Sequence, residues 1–237
     1  MKTNVTISNS KSLFLLATLI FVCAFFSTCK RKNFSLPAID LSFDKNYNFK
    51  KNETLDIYDY YYLLPFSLVP FSHREEVVEN VSSAKAYEWH LKESDMKHGY
   101  LKFSCEGSFG SEFFEIAIWK RKNRPDLIGR VHTKCNDSGC NNLSSVRFLE
   151  FSSNKWKDLT TKVFPKIEFE DFEPEKEMVH TESYVEQFGP FISCYLPQNG
   201  LDIICRINKR KEELFEKPQI KLLWKEEKFE IEEDFFF

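Results

Sequence analysis

One short segment constrains the fold of this chain more than any other: Cys194, Asn199-Gly200 and Cys205. Asn-Gly is the preferred centre of a two-residue hairpin, because both residues tolerate the positive φ that a type I′ turn requires. With Asn199 and Gly200 at the turn, Gln198 faces Leu201 and Cys194 falls opposite Cys205. That register puts Pro197 at a non-hydrogen-bonded position, where its missing N–H costs nothing. It predicts a hydrogen-bonded Cys194–Cys205 pair with Cα atoms about 5.5 Å apart, within disulfide reach. A bridge there closes a short loop and contributes about 2–3 kcal/mol.

Disulfides persist in oxidising compartments, and the N-terminus offers a route to one. Lys2 and Lys11 are the only charges in the first 29 residues; Leu13–Phe26 is a run of 14 uncharged residues, followed by Ser27, Thr28 and Cys29. A transmembrane helix needs about 20 apolar residues, so this run is short for a span and suits the core of a signal peptide. Small residues directly before a cysteine resemble a relaxed form of the lipobox of bacterial lipoproteins. The resemblance implies a signal peptide over residues 1–28 and a Cys29 that carries a diacylglyceryl group and a further acyl chain. The membrane is then a partner through that anchor, since two or three chains hold a protein where one holds it only marginally. The alternatives are a plain cleaved signal and an uncleaved anchor over Ser12–Thr28, which Lys30, Arg31 and Lys32 support by resisting translocation. Residues 29–52, polar and basic without sustained periodicity, read as a flexible tether.

Residues 53–237 read as a single α+β domain, mainly antiparallel β hairpins with a few short helices and a candidate subdivision near 165–190. Thr54, Asp56 and Asp59 lead a helix with Ile57, Tyr61 and Leu64 on one face, which Pro65 should stop. Ser72-His-Arg-Glu75 is a capping box ahead of Val77, Val78 and Val81, and Pro174 to Gly189 carries a third helix signal. Strands follow from alternation: Tyr87 to Leu91, Tyr100 to Phe103, Phe113 to Trp119, Leu127 to Thr133 and Val146 to Phe151. Two hairpins share a pattern, Phe151 with Trp156 and Trp224 with Phe229, each across a short polar turn.

Composition excludes several functions. There are 25 Phe and 16% aromatic residues but only 7 Gly, which rules out collagen-like sequence and disfavours a glycine-rich phosphate loop. With 33 Lys+Arg against 36 Asp+Glu, net −3, no nucleic-acid partner is expected. Cys135-Asn-Asp-Ser-Gly-Cys140 has turn chemistry between its cysteines and can close a small loop, leaving Cys105 as a buried small hydrophobe. The rival pairing joins Cys105 to Cys135 or Cys140.

Gly99-Tyr-Leu101, Leu127-Ile-Gly129, Cys135…Cys140, Trp156-Lys-Asp-Leu-Thr160 and Leu196-Pro-Gln-Asn-Gly200 form one ordered series. Over residues 95–231 that series resembles a group of uncharacterised exported bacterial lipoproteins. The resemblance implies export and fold, and it brings no activity with it.

Candidate chemistry is thin. His132, Cys135 and Cys140 offer zinc ligands, but they lack a C-x-x-C pair and an evident fourth ligand, so no metal is expected. Cys105 with His98 or His132 could pair nucleophile and base, yet nothing nearby would depress the thiol pKa. Glu168, Glu170, Asp171, Glu173, Glu175 and Glu177 match neither a glycosidase pair nor a calcium loop, and read as a solvated connection. Phe235-Phe236-Phe237 reads as a tail that packs on the body or a neighbour. The aromatic stretch Tyr58–Phe71 reads as core rather than recognition surface. No catalytic residue and no cofactor are assigned. The expectation is a lipid-anchored envelope protein, at the outer membrane or cell surface, acting as a non-catalytic binding or structural module on a protein or envelope partner. The alternative is a periplasmic hydrolase with a site assembled from distant residues.

Overall fold

Near-continuous burial along the central strands, as at Phe114–Ala117 and Leu127–Val131, means that both faces of a long antiparallel sheet must be covered, and that requirement sets the architecture. A computed structural model describes residues 40–43, 54–71, 88–108, 110–136, 139–172, 192–207 and 219–232. All of these belong to the unit Ile39–Phe237. The apolar run read as a signal peptide, Cys29, the Ser72 and Pro174 helix signals and the Phe235–Phe237 tail lie outside the described residues.

The first sheet has seven strands: β1 (His90–Asp95), β2 (Tyr100–Gly107), β3 (Gly110–Trp119), β4 (Leu127–Asn136), β5 (Gly139–Asn141), β6 (Arg147–Ser152) and β7 (Lys155–Asp158). Their order is β1-β2-β3-β4-β6-β7, with β5 paired to the far end of β4. The second sheet is β11-β10-β9-β8, from β8 (Ile192–Tyr195), β9 (Ile203–Ile207), β10 (Gln219–Lys225) and β11 (Lys228–Ile231). Every pairing is antiparallel. With the short helices Ile57–Leu63 and Thr160–Val163, the fold is α+β and dominated by antiparallel hairpins.

One face of the first sheet presents Leu101, Phe103, Phe114, Ile116, Ile128 and Leu149 to Ile57, Tyr61, Leu63 and Leu68 of the N-terminal segment. The other presents Tyr100, Ala117, Trp119, Leu127, Val131 and Phe148 to Ile192, Ile203, Ile220, Leu222 and Phe229 of the second sheet. The result is three layers, with the first sheet in the middle. The aromatic stretch is therefore core: Tyr61, Leu63 and Leu64 are fully buried, though Phe66 is exposed. Leu41 and Phe43, within the stretch read as tether, pack on this same core, and Ser42 O accepts from Phe66 N–H at 3.0 Å.

Local chemistry fixes these layers. Asp56 caps the first helix, accepting from Tyr58 N–H and Asp59 N–H, while Asp59 accepts from Asp56 N–H in a reciprocal box. Pro65 then holds Leu64 extended and ends the helix. Trp156 Nε1 donates to Leu63 O at 2.7 Å and Trp119 Nε1 to Leu201 O at 2.9 Å, so each indole ties a neighbouring layer to the first sheet. Gly129 makes room for Trp119: a Cβ there would sit 2.4 Å from the indole ring.

The two aromatic hairpins are both two-residue turns. Ser153 and Asn154 (φ 51° and 57°) close β6–β7, and Glu226 and Glu227 (φ 48° and 68°) close β10–β11. In such hairpins the pair next to the closing one is not hydrogen-bonded and brings its side chains closest. Phe151–Trp156 and Trp224–Phe229 occupy that position, with ring centroids 4.9 and 4.8 Å apart. Shared turn geometry accounts for the repeated pattern.

Cys194 lies opposite Cys205 and the two form a disulfide, but the hydrogen-bonded pairing expected at this position is corrected. The Cα atoms are 3.9 Å apart, and Cys194 turns its N–H and C=O away from β9 to Asn142. The pair is thus of the close, non-hydrogen-bonded kind. The turn differs accordingly. Gly200 has φ +87° while Asn199 stays outside the left-handed region, so the connection is not type I′. With this parity the next hydrogen-bonded pair after Tyr195–Ile204 would be Pro197 with Asp202, and proline has no N–H to give. The ladder ends there. A second cross-strand disulfide joins Cys135 of β4 to Cys140 of β5, with Cα atoms 4.0 Å apart.

Candidate functional site

A groove of about 380 Å³ opens where four segments distant in sequence meet: the β3–β4 loop, the β6–β7 hairpin, the helical turn Thr160–Val163 and the β10–β11 turn. The helical turn is held rigidly. Asp158 Oδ1 accepts from Thr160 N–H at 2.8 Å and from Thr160 Oγ1 at 2.5 Å, and Thr160 Oγ1 in turn accepts from Phe148 N–H at 2.9 Å. Leu159 N–H donates to Phe148 O, so the main-chain groups at the start of β6 are satisfied by this turn rather than by β7. That arrangement presents Leu159 and Val163 as the apolar part of the groove, with Lys162 on its rim.

The remaining lining is ionic: Arg121, Arg124, Lys157, Lys162 and Lys228 against Glu150, Glu226 and Glu227. Two of the three carboxylates are consumed by arginines. Arg121, almost wholly buried, donates to Glu150 at 2.5 Å and twice to Pro125 O; Arg124 meets Glu227 at 2.7 Å. Glu150 sits directly opposite Lys157 in the β6–β7 ladder, yet its carboxylate turns to Arg121. Lys157 and Lys162 are left without an ion pair among the described residues, and Lys228 turns to Glu230 at 2.8 Å. Glu226 and Glu227 hold left-handed backbone that glycine or asparagine adopts more easily, at a cost of about 1 kcal/mol each.

The residues singled out in the sequence do not converge on this groove. Cys135 and Cys140 are bonded to each other, which removes both thiols from metal binding. His132, packed beside Trp89, meets Glu112 at 2.6 Å; burial lowers its pKa, with Glu112 opposing. His98 pairs with Asp95 in the β1–β2 turn, and Cys105 is a half-buried free thiol raised by burial and by Glu112 and Glu106. A raised pKa disfavours the thiolate that a nucleophile needs. Of the acidic run, Glu168 pairs with Lys166 and its N–H bonds Asp171, a local turn. His90 Nε2 lies 3.0 Å from the buried Ser104 hydroxyl on β1 and β2.

Buried charge elsewhere joins layers. Arg130, opposite Arg147 in the β4–β6 ladder, donates to Leu68 O and Ser145 O and lies over the Phe114 ring. Desolvation, then Arg147, lowers its pKa to about 9. Glu115 reaches from β3 to the second sheet, accepting from Leu196 N–H at 3.1 Å with Lys102 at 3.3 Å. Burial pushes its carboxyl above the usual range, and Lys102 pulls it back. Asn142 is fully used: its N–H donates to Ile192 O, its Nδ2 to Cys194 O and Thr133 Oγ1, and its Oδ1 accepts from Cys194 N–H. No single motif announces these roles; each depends on which strands the fold brings together.

These features define a two-sheet, disulfide-bridged α+β protein. No family model matches the chain, and no curated protein matches it. Among solved structures it is similar to a domain of an uncharacterized protein from Porphyromonas gingivalis W83, at 14% identity and a TM-score of 0.42, covering 67% of this chain and 88% of that one. Among the described residues no helix is long and apolar enough to cross a membrane.

Proposed function

We propose that this protein is a lipid-anchored bacterial envelope protein, attached through Cys29, whose folded body is a non-catalytic binding module. The observation that carries this reading is the pair of cross-strand disulfides, Cys135–Cys140 and Cys194–Cys205, which fit an oxidising compartment. The apolar run ending at Cys29 supplies both export and anchor. A rigid scaffold with a charged groove at one corner serves binding, and in this reading the groove is the working surface.

Detergent phase partitioning of protein from its own host tests the anchor. The native chain is expected in the detergent phase and a Cys29→Ser variant in the aqueous phase or retained as precursor. A native chain that partitions to the aqueous phase overturns the reading.

A further inference from the structure

We infer that the groove between the β6–β7 hairpin and the β10–β11 turn binds a small polar anion, a sugar-sized molecule bearing a carboxylate or phosphate. This deepens the binding-module reading and rests on it. The argument starts from how the groove's charges are spent. Glu150 is held by the buried Arg121 at 2.5 Å and Glu227 meets the exposed Arg124 at 2.7 Å, so both carboxylates already have a cation. Lys157 and Lys162 have no ion pair among the described residues, although Lys157 stands directly across the ladder from a glutamate. Two exposed ammonium groups from different elements, a strand and a helical turn, thus line one cavity without an ion pair, against the single unpaired carboxylate of Glu226 among the described residues. Lysine donates three hydrogen bonds and accepts none, which suits anionic oxygens.

Size and polarity narrow the class. A cavity near 380 Å³ is at the small end for ligand sites, and its lining is mostly charged rather than aromatic or aliphatic. An apolar ligand would strip water from those charges without return. A hydroxylated body can instead bond the lysines and carboxylates, while Leu159 and Val163 offer one small apolar patch. Glu226 has no ion pair among the described residues and sits on the rim, so it opposes an anion and limits affinity. The Asp158–Thr160 bonds fix the helical turn, and the β10–β11 ladder positions the hairpin turn.

Titration calorimetry on the full chain in detergent, with glucuronate, glucose 6-phosphate and glucose as separate probes, tests this. The expected result is binding of at least one anion at low salt, weakened as ionic strength rises to about 0.15 M, with glucose at least about tenfold weaker. Comparison of the two anions assigns carboxylate or phosphate. The double variant Lys157→Gln/Lys162→Gln should lose about tenfold or more in affinity, Glu226→Gln should gain a few-fold, and Lys155→Gln, on β7 outside the groove, should change nothing. Equal binding of glucose and the anions, no binding of either anion, or indifference to the double variant overturns the inference. Partitioning of the same samples into detergent reports on the anchor separately, so the two readings fail independently.

Discussion

Replacing Asn142 with alanine removes the only side chain that spans from the first sheet to the open edge of β8 by hydrogen bonding both Thr133 and Cys194 among the described residues. The magnitude follows from what is left behind. Cys194 is fully buried, and Thr133 and Asn142 are each 2% exposed or less, so water does not replace the lost amide. A buried main-chain donor or acceptor left unpaired costs about 1–3 kcal/mol, and the variant orphans one of each on Cys194. The cavity left by the amide adds to this, so the expected loss is about 3–5 kcal/mol. Denaturant unfolding with disulfides intact, followed by tryptophan fluorescence, measures it, because Trp119 and Trp224 both lie at the contact between the sheets. Asn142→Asp sharpens the test. It keeps an acceptor for Cys194 N–H but sets a carboxylate against Cys194 O, so it should be as damaging at neutral pH and partly rescued when acid protonates it. A loss below about 1 kcal/mol for the alanine variant would refute the claim that this amide joins the sheets.

Three further outcomes follow from the same contacts. Burial raises the Glu115 carboxyl, so the native state holds its proton more tightly than the unfolded chain. Its contribution is fully present below the ordinary value of 4.5 and is lost as pH rises through the raised native one; Glu115→Gln should remove that slope in a comparison of unfolding curves across pH. Glu226→Asn with Glu227→Gly gives the β10–β11 turn the residues its left-handed backbone favours and should stabilise by about 1–2 kcal/mol, less the exposed Arg124–Glu227 pair, in thermal unfolding. Gly129→Ala drives a methyl into Trp119 and Phe148 and should cost about 1–3 kcal/mol, measured by the denaturant midpoint.

Much of this fold is legible along the strands and little of it across them. Alternation at Phe113–Trp119 and Leu127–Thr133 marks β3 and β4 because each residue's face is set by its own parity. Phe151–Trp156 and Trp224–Phe229 announce hairpins for the same local reason. The register of Cys194 with Cys205 is also local, but its hydrogen-bonding parity is not. Asn142, far away in sequence, claims the Cys194 main chain and turns it from β9. The groove is harder still. Glu150 and Lys157 face each other across the β6–β7 ladder, but only the fold brings Arg121 in to take the glutamate, leaving Lys157 without an ion pair among the described residues. Stacking of the two sheets likewise depends on Trp119, Gly129 and Phe229 meeting from separate hairpins.

Intact mass of the protein taken from its own envelope, before and after reduction and alkylation, bears most directly on an exported, acylated, doubly bridged body. The account predicts a chain starting at Cys29 with added acyl mass, in which Cys105 alone is alkylated without reductant and Cys135, Cys140, Cys194 and Cys205 join it only afterwards. A chain that still begins at Met1, or one whose five body cysteines all react without reductant, would contradict it.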